Sequence, residues 1–442
     1  MASLSSAAPT PRPRTALTLP WLRTAAPVAC WAGLVLAGHL LAARLLAADY
    51  RVHIGAPPLV GGFDVRLSAS IVWAVGLAGA ALAFGPALVR RLPWRGLLGA
   101  SWLAGVAWIL ALATGNGGGW EALRRPLQSR YEYLAAVPDV GSAGAFLRSF
   151  VTDLPDYPTH VRGHPPGLLL VLAQLDRIGL GGSAWAAALV IGAGAAAAPA
   201  ALVALRALAG EQLARRAALF VTLAPAAIWL GTSADALFTG VIATAIAMLA
   251  LACTAPPGWR ADAAALLAGL VLGGGLMLSY GLAPLGLLAL AVALATRRVR
   301  PLAIAAAGVA AVLLAFAAAG FWWPSGLQAT RVIYAAGAAS RRPYLDFLVI
   351  SPAAFALAIG PAAVAGLVAL RGGRAWILPA AALAALAVAE LSGLSRGETE
   401  RIWLPFAPWL LLAAASLRAP RAWLAAQLGL GIALQVVVVS QW

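Results

Sequence analysis

Residues 217–253 read AALFVTLAPAAIWLGTSADALFTGVIATAIAMLALAC, an almost unbroken apolar run whose one polar point is Gly231-Thr232-Ser233-Ala234-Asp235. As a single helix the run would extend about 55 Å, against roughly 30 Å for the hydrocarbon core of a bilayer. It must turn at 231–235 and make two passes. The run 262–296 is too long for the same reason, and Ser279-Tyr280-Gly281 is where it folds back.

The rest of the chain has the same character. Of 442 residues, 62% are hydrophobic and 10% charged, where a soluble globular protein carries about 25% charged residues. A soluble fold could not hide that much apolar surface. Candidate passes lie near 25–46, 67–89, 96–114, 165–180, 184–206, 214–231, 236–253, 262–278, 281–296, 302–323, 347–370, 375–391, 402–417 and 422–440. The expected fold class is all-α: a polytopic transmembrane helix bundle of 12–14 spans, with a long outer loop carrying short helices. Residues 1–24 read as a disordered cytoplasmic tail with Arg12 and Arg14 and no apolar core of a cleavable signal; 25–442 read as one transmembrane domain.

All the basic residues are Arg, and the formal charge is +16. They are spread in small groups between apolar stretches, which is the positive-inside pattern and not a nucleic-acid surface. Arg90, Arg91 and Arg95, Arg206, Arg215 and Arg216, Arg260, Arg297, Arg298 and Arg300, Arg371 and Arg374, and Arg418 and Arg421 are spaced by pairs of passes and are placed in the cytoplasm. If 165–180 were a complete crossing, every later group would fall on the wrong side. That stretch opens with two prolines and carries Asp176 and Arg177, so an incomplete or re-entrant helix is expected there. Cys30 and Cys253 both lie in apolar runs and read as small buried hydrophobes.

With 15 acidic residues in the chain, each can be weighed. Five fall in the loop 115–164, about 50 residues long in a protein of otherwise short connections, and ordered loops of that length are usually functional. It holds Arg130-Tyr131-Glu132-Tyr133, then Asp139, then Asp153 and Asp156, then His160, Arg162 and His164-Pro165-Pro166-Gly167. A carboxylate here would serve as general base on an acceptor hydroxyl, with arginines holding a phosphate through forked hydrogen bonds. Spacing alone does not choose among Glu132, Asp139 and Asp156. Asp156, His160 and His164 recur at intervals of four, as helical metal ligands would, but the intervening prolines oppose a helix. No metal site is expected.

Three further places carry polar groups. Asp235 reads either as a cap for the following helix or as a functional contact at the outer turn. Glu390 is followed by Ser395-Arg396-Gly397-Glu398-Thr399-Glu400-Arg401, and the stretch 324–346 adds Arg341 and Arg342, a pair suited to a lipid phosphate.

Taken together the chain resembles the GT-C class of integral-membrane glycosyltransferases. The residues that carry the likeness are Arg130-Tyr131-Glu132-Tyr133-Leu134, His164-Pro165-Pro166-Gly167, Thr232-Ser233-Ala234-Asp235-Ala236-Leu237-Phe238 and Glu400-Arg401-Ile402-Trp403-Leu404-Pro405, spread over about 120–410. The resemblance implies a sugar transferred from a polyprenyl-phosphate donor to a glycan, lipid or protein acceptor of the cell envelope, on the outer face of the plasma membrane. It gives Glu132 the loop-acid role, Asp235 the later-turn role and Arg401 a donor-phosphate contact. Asp139 and Asp156 stay as alternative bases. Arg130, Tyr133, His160, Arg162, His164, Tyr280, Arg341, Arg342 and Glu400 are candidate substrate contacts. No cofactor is expected, with a divalent cation left open. Two departures stand out: no second carboxylate adjoins Glu132, and Tyr280 stands where related transferases often have Lys. A transporter or flippase of a lipid-linked or small polar substrate is the alternative, and a catalytically silent scaffold a third reading.

Overall fold

The computed structural model describes residues 22–115, 117–231, 233–370 and 372–440. The first 21 residues of the expected tail, together with Asn116, Thr232 and Arg371, lie outside the described residues. Among the described residues nine helices are long and apolar enough to cross a membrane. These are α1 (Leu22–Ala47), α2 (Ile71–Arg91), α3 (Trp94–Ala113), then, after a short helix α4 (Gly167–Arg177), α5 (Ser183–Ala209), and beyond α6 (Glu211–Thr222) the helices α7 (Ala234–Thr254) and α8 (Trp259–Leu278). After α9 (Gly286–Thr296) come α10 (Val299–Ala318) and, past α11 (Trp323–Ala336), α12 (Tyr344–Ala369) and α13 (Ile377–Leu391); α14 (Pro420–Val437) closes the chain. The protein is an all-α, multi-pass helical bundle, as its composition requires.

Four more stretches run from one end of the bundle to the other as short, broken or less apolar segments. One is α6 with Ala227–Leu230, interrupted around Pro225; another is α9 with its entry Tyr280–Leu285; a third is Leu404–Ser416, cut into short turns by Pro405 and Pro408; the fourth is α14. Contacts fix the ends of two of them. Arg215 at the start of α6 donates to the carbonyl of Leu92 (3.0 Å), whereas Gly231 packs on Ile109 near the far end of α3. Arg401 reaches Asp235 at one end, and sixteen residues on the carbonyl of Leu417 accepts from Arg216 at the other. Nine long and four further passes among the described residues agree with the 12–14 expected.

The stretch 165–180 does not cross. Gly167 at the start of α4 lies so close to α8 that an added Cβ would stand 2.4 Å from the Met277 carbonyl oxygen, near the end of that helix. At the other end of α4, Arg177 donates to the carbonyl of Val140 (3.3 Å), and Ser183, which begins α5, accepts from Arg124 and Gln128 of the same loop. Both ends of α4 therefore sit at one end of the bundle, and the arginine groups after it fall on the opposite end. α5, at 27 residues, is about 40 Å long and overshoots a 30 Å hydrocarbon core.

In lipid every backbone polar group needs a partner, and two indoles supply them at the breaks. α12 kinks at Gly360 (φ 75°, ψ 170°) ahead of Pro361, and the carbonyl of Ala356 accepts from Trp31 (2.9 Å). At the break beyond α6, Trp108 donates to the carbonyl of Ala224 (3.0 Å). Close approach elsewhere depends on small residues: a Cβ on Gly240 of α7 would stand 2.0 Å from the carbonyl oxygen of Ala193 on α5. Of the cysteines, Cys253 is buried but Cys30 is exposed on the outside of α1.

The loop 115–164 folds into short helical turns, among them Glu121–Arg124, Tyr133–Asp139, Ala143–Ser149 and Thr159–Arg162. A second connection, between α1 and α2, forms a strap over the same end. Its strand β1 (Gly62–Phe63) pairs antiparallel with β2 (Val438–Val439) after α14, so the last residues of the apolar run 422–440 are strand where helix was expected.

Candidate active site

The loop, the strap, the start of α7 and the hairpin after α13 meet at one end of the bundle. Asp235 lies in the first turn of α7, 3% exposed, and makes no cap: its Oδ2 accepts from Arg401 Nη1 at 2.5 Å. The same guanidinium donates through Nη2 to Glu398 Oε2 at 2.6 Å. Glu398 adopts a left-handed backbone (φ 61°) that opens the single turn Thr399–Ile402, and this turn carries Arg401 into the bundle. Burial pushes the Glu398 carboxyl up, but the charges of Arg401 and Arg342 and the hydrogen bond from Arg401 outweigh it and hold Glu398 below its ordinary value.

Glu132 approaches the same cluster from the loop. It is 3% exposed, and its Oε1 lies 3.6 Å from His160 Nε2. Burial raises its pKa from 4.5 to about 7, with Arg401 pulling down and Asp235 pushing up. His160, buried next to it, is lowered to about 3 by burial and then by Arg401, so the ring is neutral at pH 7 and the contact is not an ion pair there. The His160 carbonyl accepts from His164 Nδ1 (2.7 Å), since a carbonyl can only accept. The His164 ring stands 5.9 Å from Tyr133 and 5.6 Å from Phe238 of α7, tying loop to helix. Tyr133 Oη is buried with no hydrogen-bond partner among the described residues, and burial followed by the Glu132 charge raises its pKa.

Two more sequence candidates border the cluster. Glu400, fully buried, turns the other way, and its Oε1 accepts from the backbone N–H of Val60 in the strap (3.1 Å). Burial raises its pKa to about 7. Arg342 is 5% exposed; its Nε donates to the Val52 carbonyl of the strap (3.1 Å), and Nη1 to the carbonyl of Arg396. It makes no ion pair among the described residues. A buried cation held by carbonyl dipoles, with the Glu398 charge near it but no carboxylate in direct contact among the described residues, is suited to receive an anion.

Other candidates stand apart. Asp139, Asp156, Arg130 and Arg341 are exposed. Asp139 and Asp156 make no ion pair among the described residues, and Arg130 bonds its neighbour Tyr131 (2.6 Å). Prolines at 138 and 155 put both aspartates on short turns that face outward. Arg162 is half-buried and joins the loop to α11, its carbonyl accepting from Thr330 (3.0 Å). Tyr280 packs against Trp323 (5.2 Å) at the start of α11, and no hydrogen bond joins it to the cluster among the described residues. Glu398 is the member that residue-by-residue weighing left out, although its place three residues before Arg401 on one turn is a readable ion-pair signal. The strap residues Val52 and Val60 carried no signal, because they contribute backbone atoms, and Arg396 exchanges guanidinium-to-carbonyl bonds with Arg342. Among the described residues no group of three or more His, Cys, Asp or Glu side chains is placed to hold a metal ion.

Fold and site together define a multi-pass helical membrane protein with a buried carboxyl and arginine cluster at one end of the bundle, the end that also holds 13 of its 15 acidic residues. Comparison with protein-family profiles, curated proteins and solved structures finds no match.

Proposed function

We propose that the protein transfers a sugar from a polyprenyl-phosphate donor to a hydroxyl of a cell-envelope acceptor at the outer face of the plasma membrane. The observation that carries this reading is Glu132, buried beside His160 and under the charges of Arg401 and Asp235, whose pKa of about 7 suits a general base at neutral pH; Arg342, buried at the same end of the bundle, adds a cation with no ion-pair partner among the described residues. The short arginine-bearing connections at the far end of the bundle, which carry few acidic residues, support an outer position for the cluster.

In the reaction Glu132 takes the proton of the acceptor hydroxyl as its oxygen attacks the anomeric carbon. The bond from that carbon to the phosphate oxygen breaks, and the lipid phosphate leaves with the electron pair, inverting the centre. Phosphate is a competent leaving group, so a base and charge stabilisation suffice. Arg401 was expected to contact the donor phosphate, but its guanidinium is engaged by Asp235 and Glu398. The phosphate is therefore assigned to Arg342, and Arg401 holds the cluster together.

The broken passes favour a second reading, transport, since interrupted helices line transporter sites. Their breaks, at Pro225, Pro284 and Pro405, carry no carboxylate, which leaves the chemistry with the cluster. The test is transfer of radiolabelled sugar from a panel of polyprenyl-phosphate donors by purified protein in nanodiscs, beside Glu132→Gln. Transfer lost in a folded variant supports the reading. Absence of transfer with every donor, or full turnover in the variant, overturns it, and donor movement across sealed vesicles would then point to transport.

A further inference from the structure

A second region of the molecule combines an apolar cavity with an unused polar atom. Between α1, the strap, α12 and α14 lies a groove of about 290 Å³. On α1 its wall is the stripe Trp31, Val35, Leu36 and His39, and across from it stand Leu59, Leu357 and Leu434. Leu36 is 56% exposed on a helix that lies in the bilayer, so the groove opens to lipid and not to water.

Its polar groups are few. The Trp31 indole is spent on the Ala356 carbonyl. His39 Nδ1 lies 2.8 Å from the carbonyl oxygen of Pro57 in the strap. A carbonyl only accepts, so Nδ1 carries the hydrogen, and in that tautomer Nε2 is a bare acceptor. No residue among those described bonds to Nε2.

We propose that this groove is a binding site for an uncharged lipid alcohol, its hydroxyl donating to His39 Nε2 and its chain lying along the α1 stripe. The hydrogen-bond polarity selects the occupant. Acyl chains, ester carbonyls and phosphodiesters have no donor to offer Nε2, and the ammonium and glycerol donors of bilayer headgroups come attached to a charged phosphate that an apolar groove disfavours. An O–H on an apolar body satisfies it. A pocket that is mostly apolar with one placed polar group is the common form of a small-molecule site. The proposal is independent of the transfer reaction.

The test is photolabelling of the protein in nanodiscs with a diazirine-bearing long-chain primary alcohol, and with its methyl ether, which has the same chain and no donor. One hydrogen bond in an apolar groove is expected to favour the alcohol about tenfold, with label on the α1 stripe. His39→Asn keeps a donor near the Nδ1 position for Pro57 and removes the Nε2 acceptor, so alcohol labelling falls to the ether level. Equal labelling of the natural protein by alcohol and ether overturns the proposal whatever the variant does. Alcohol labelling undiminished in a folded His39→Asn protein also overturns it.

Discussion

Asp235 and Arg401, 166 residues apart in the chain, share a 2.5 Å hydrogen bond with both side chains almost wholly buried. Each lies at the point where a pass begins or a hairpin ends, and the bond closes the ring of elements around Glu132. A charge taken from water into an apolar interior is tolerated only when paired. Arg401, with Glu398 as its second partner, is the counter-charge on which three carboxylates depend.

Removing that counter-charge should cost more than removing either carboxylate. Arg401→Met leaves Asp235, Glu398 and Glu132 close together without a cation, and breaking a buried pair in this way costs about 3–5 kcal/mol. Asp235→Asn leaves Arg401 still paired with Glu398 and should cost clearly less. Thermal unfolding in detergent at pH 7 checks the order. An Arg401→Met protein that melts like the natural one would mean the cluster is solvated.

The proton held by Glu132 gives a pH signature. Its carboxyl ionises near pH 7 when folded and near 4.5 when unfolded. Between those values the folded state keeps a proton that the unfolded chain releases, so this residue's contribution to stability falls as pH rises. His160, lowered from 6.5 to about 3, acts oppositely and masks the trend in the natural protein. The difference between Glu132→Gln and the natural protein isolates it. The two should be equally stable below pH 4.5, and the variant should gain of the order of 3 kcal/mol by pH 7. Denaturant titrations across pH 4–8 read this directly. A difference flat with pH would mean Glu132 is ionised throughout.

Apolar run lengths made most of the bundle readable: 217–253 does turn at 231–235, and the 27-residue α5 and the 20-residue α8 follow from continuous apolar stretches. The re-entrant α4 was legible because Arg groups downstream demanded it. The candidate cluster was legible only in part. Glu132, Asp235 and Arg401 stand out because carboxylates and their neighbours are scarce in this chain, whereas choosing Glu132 over Asp139 and Asp156 needs burial, which spacing does not encode. The strap was out of reach: Val52 and Val60 act through a carbonyl and an N–H, and every residue has those.

Close helix contact makes a separate prediction. Gly240 faces Ala193 so tightly that a methyl group would stand 2.0 Å from a backbone oxygen, and no side chain can move aside to make room. Gly240→Ala must part α5 from α7, where overpacking typically costs about 1–3 kcal/mol. Gly192→Ala, on α5 where an added Cβ meets nothing within 4 Å, is the control and should leave the melting temperature unchanged. Equal melting temperatures for the two variants would contradict the packing described.

Arg342 distinguishes binding from scaffold. Its guanidinium ties Val52 of the strap to Arg396 of the hairpin through two carbonyls, and if it also holds the donor phosphate its loss should weaken donor binding. Hydrogen bonds to a charged group are worth about 1.5–3 kcal/mol, so Arg342→Gln should raise KM for the donor roughly 10–100-fold. Arg342→Lys keeps the charge but loses the fork that spans both carbonyls, and should fall between. The neighbouring Arg341 is exposed, and Arg341→Gln should change KM less than twofold. Initial rates over a donor concentration series separate these cases. A fall in kcat with KM unchanged in Arg342→Gln would move the phosphate away from Arg342 and leave it a tie between strap and hairpin.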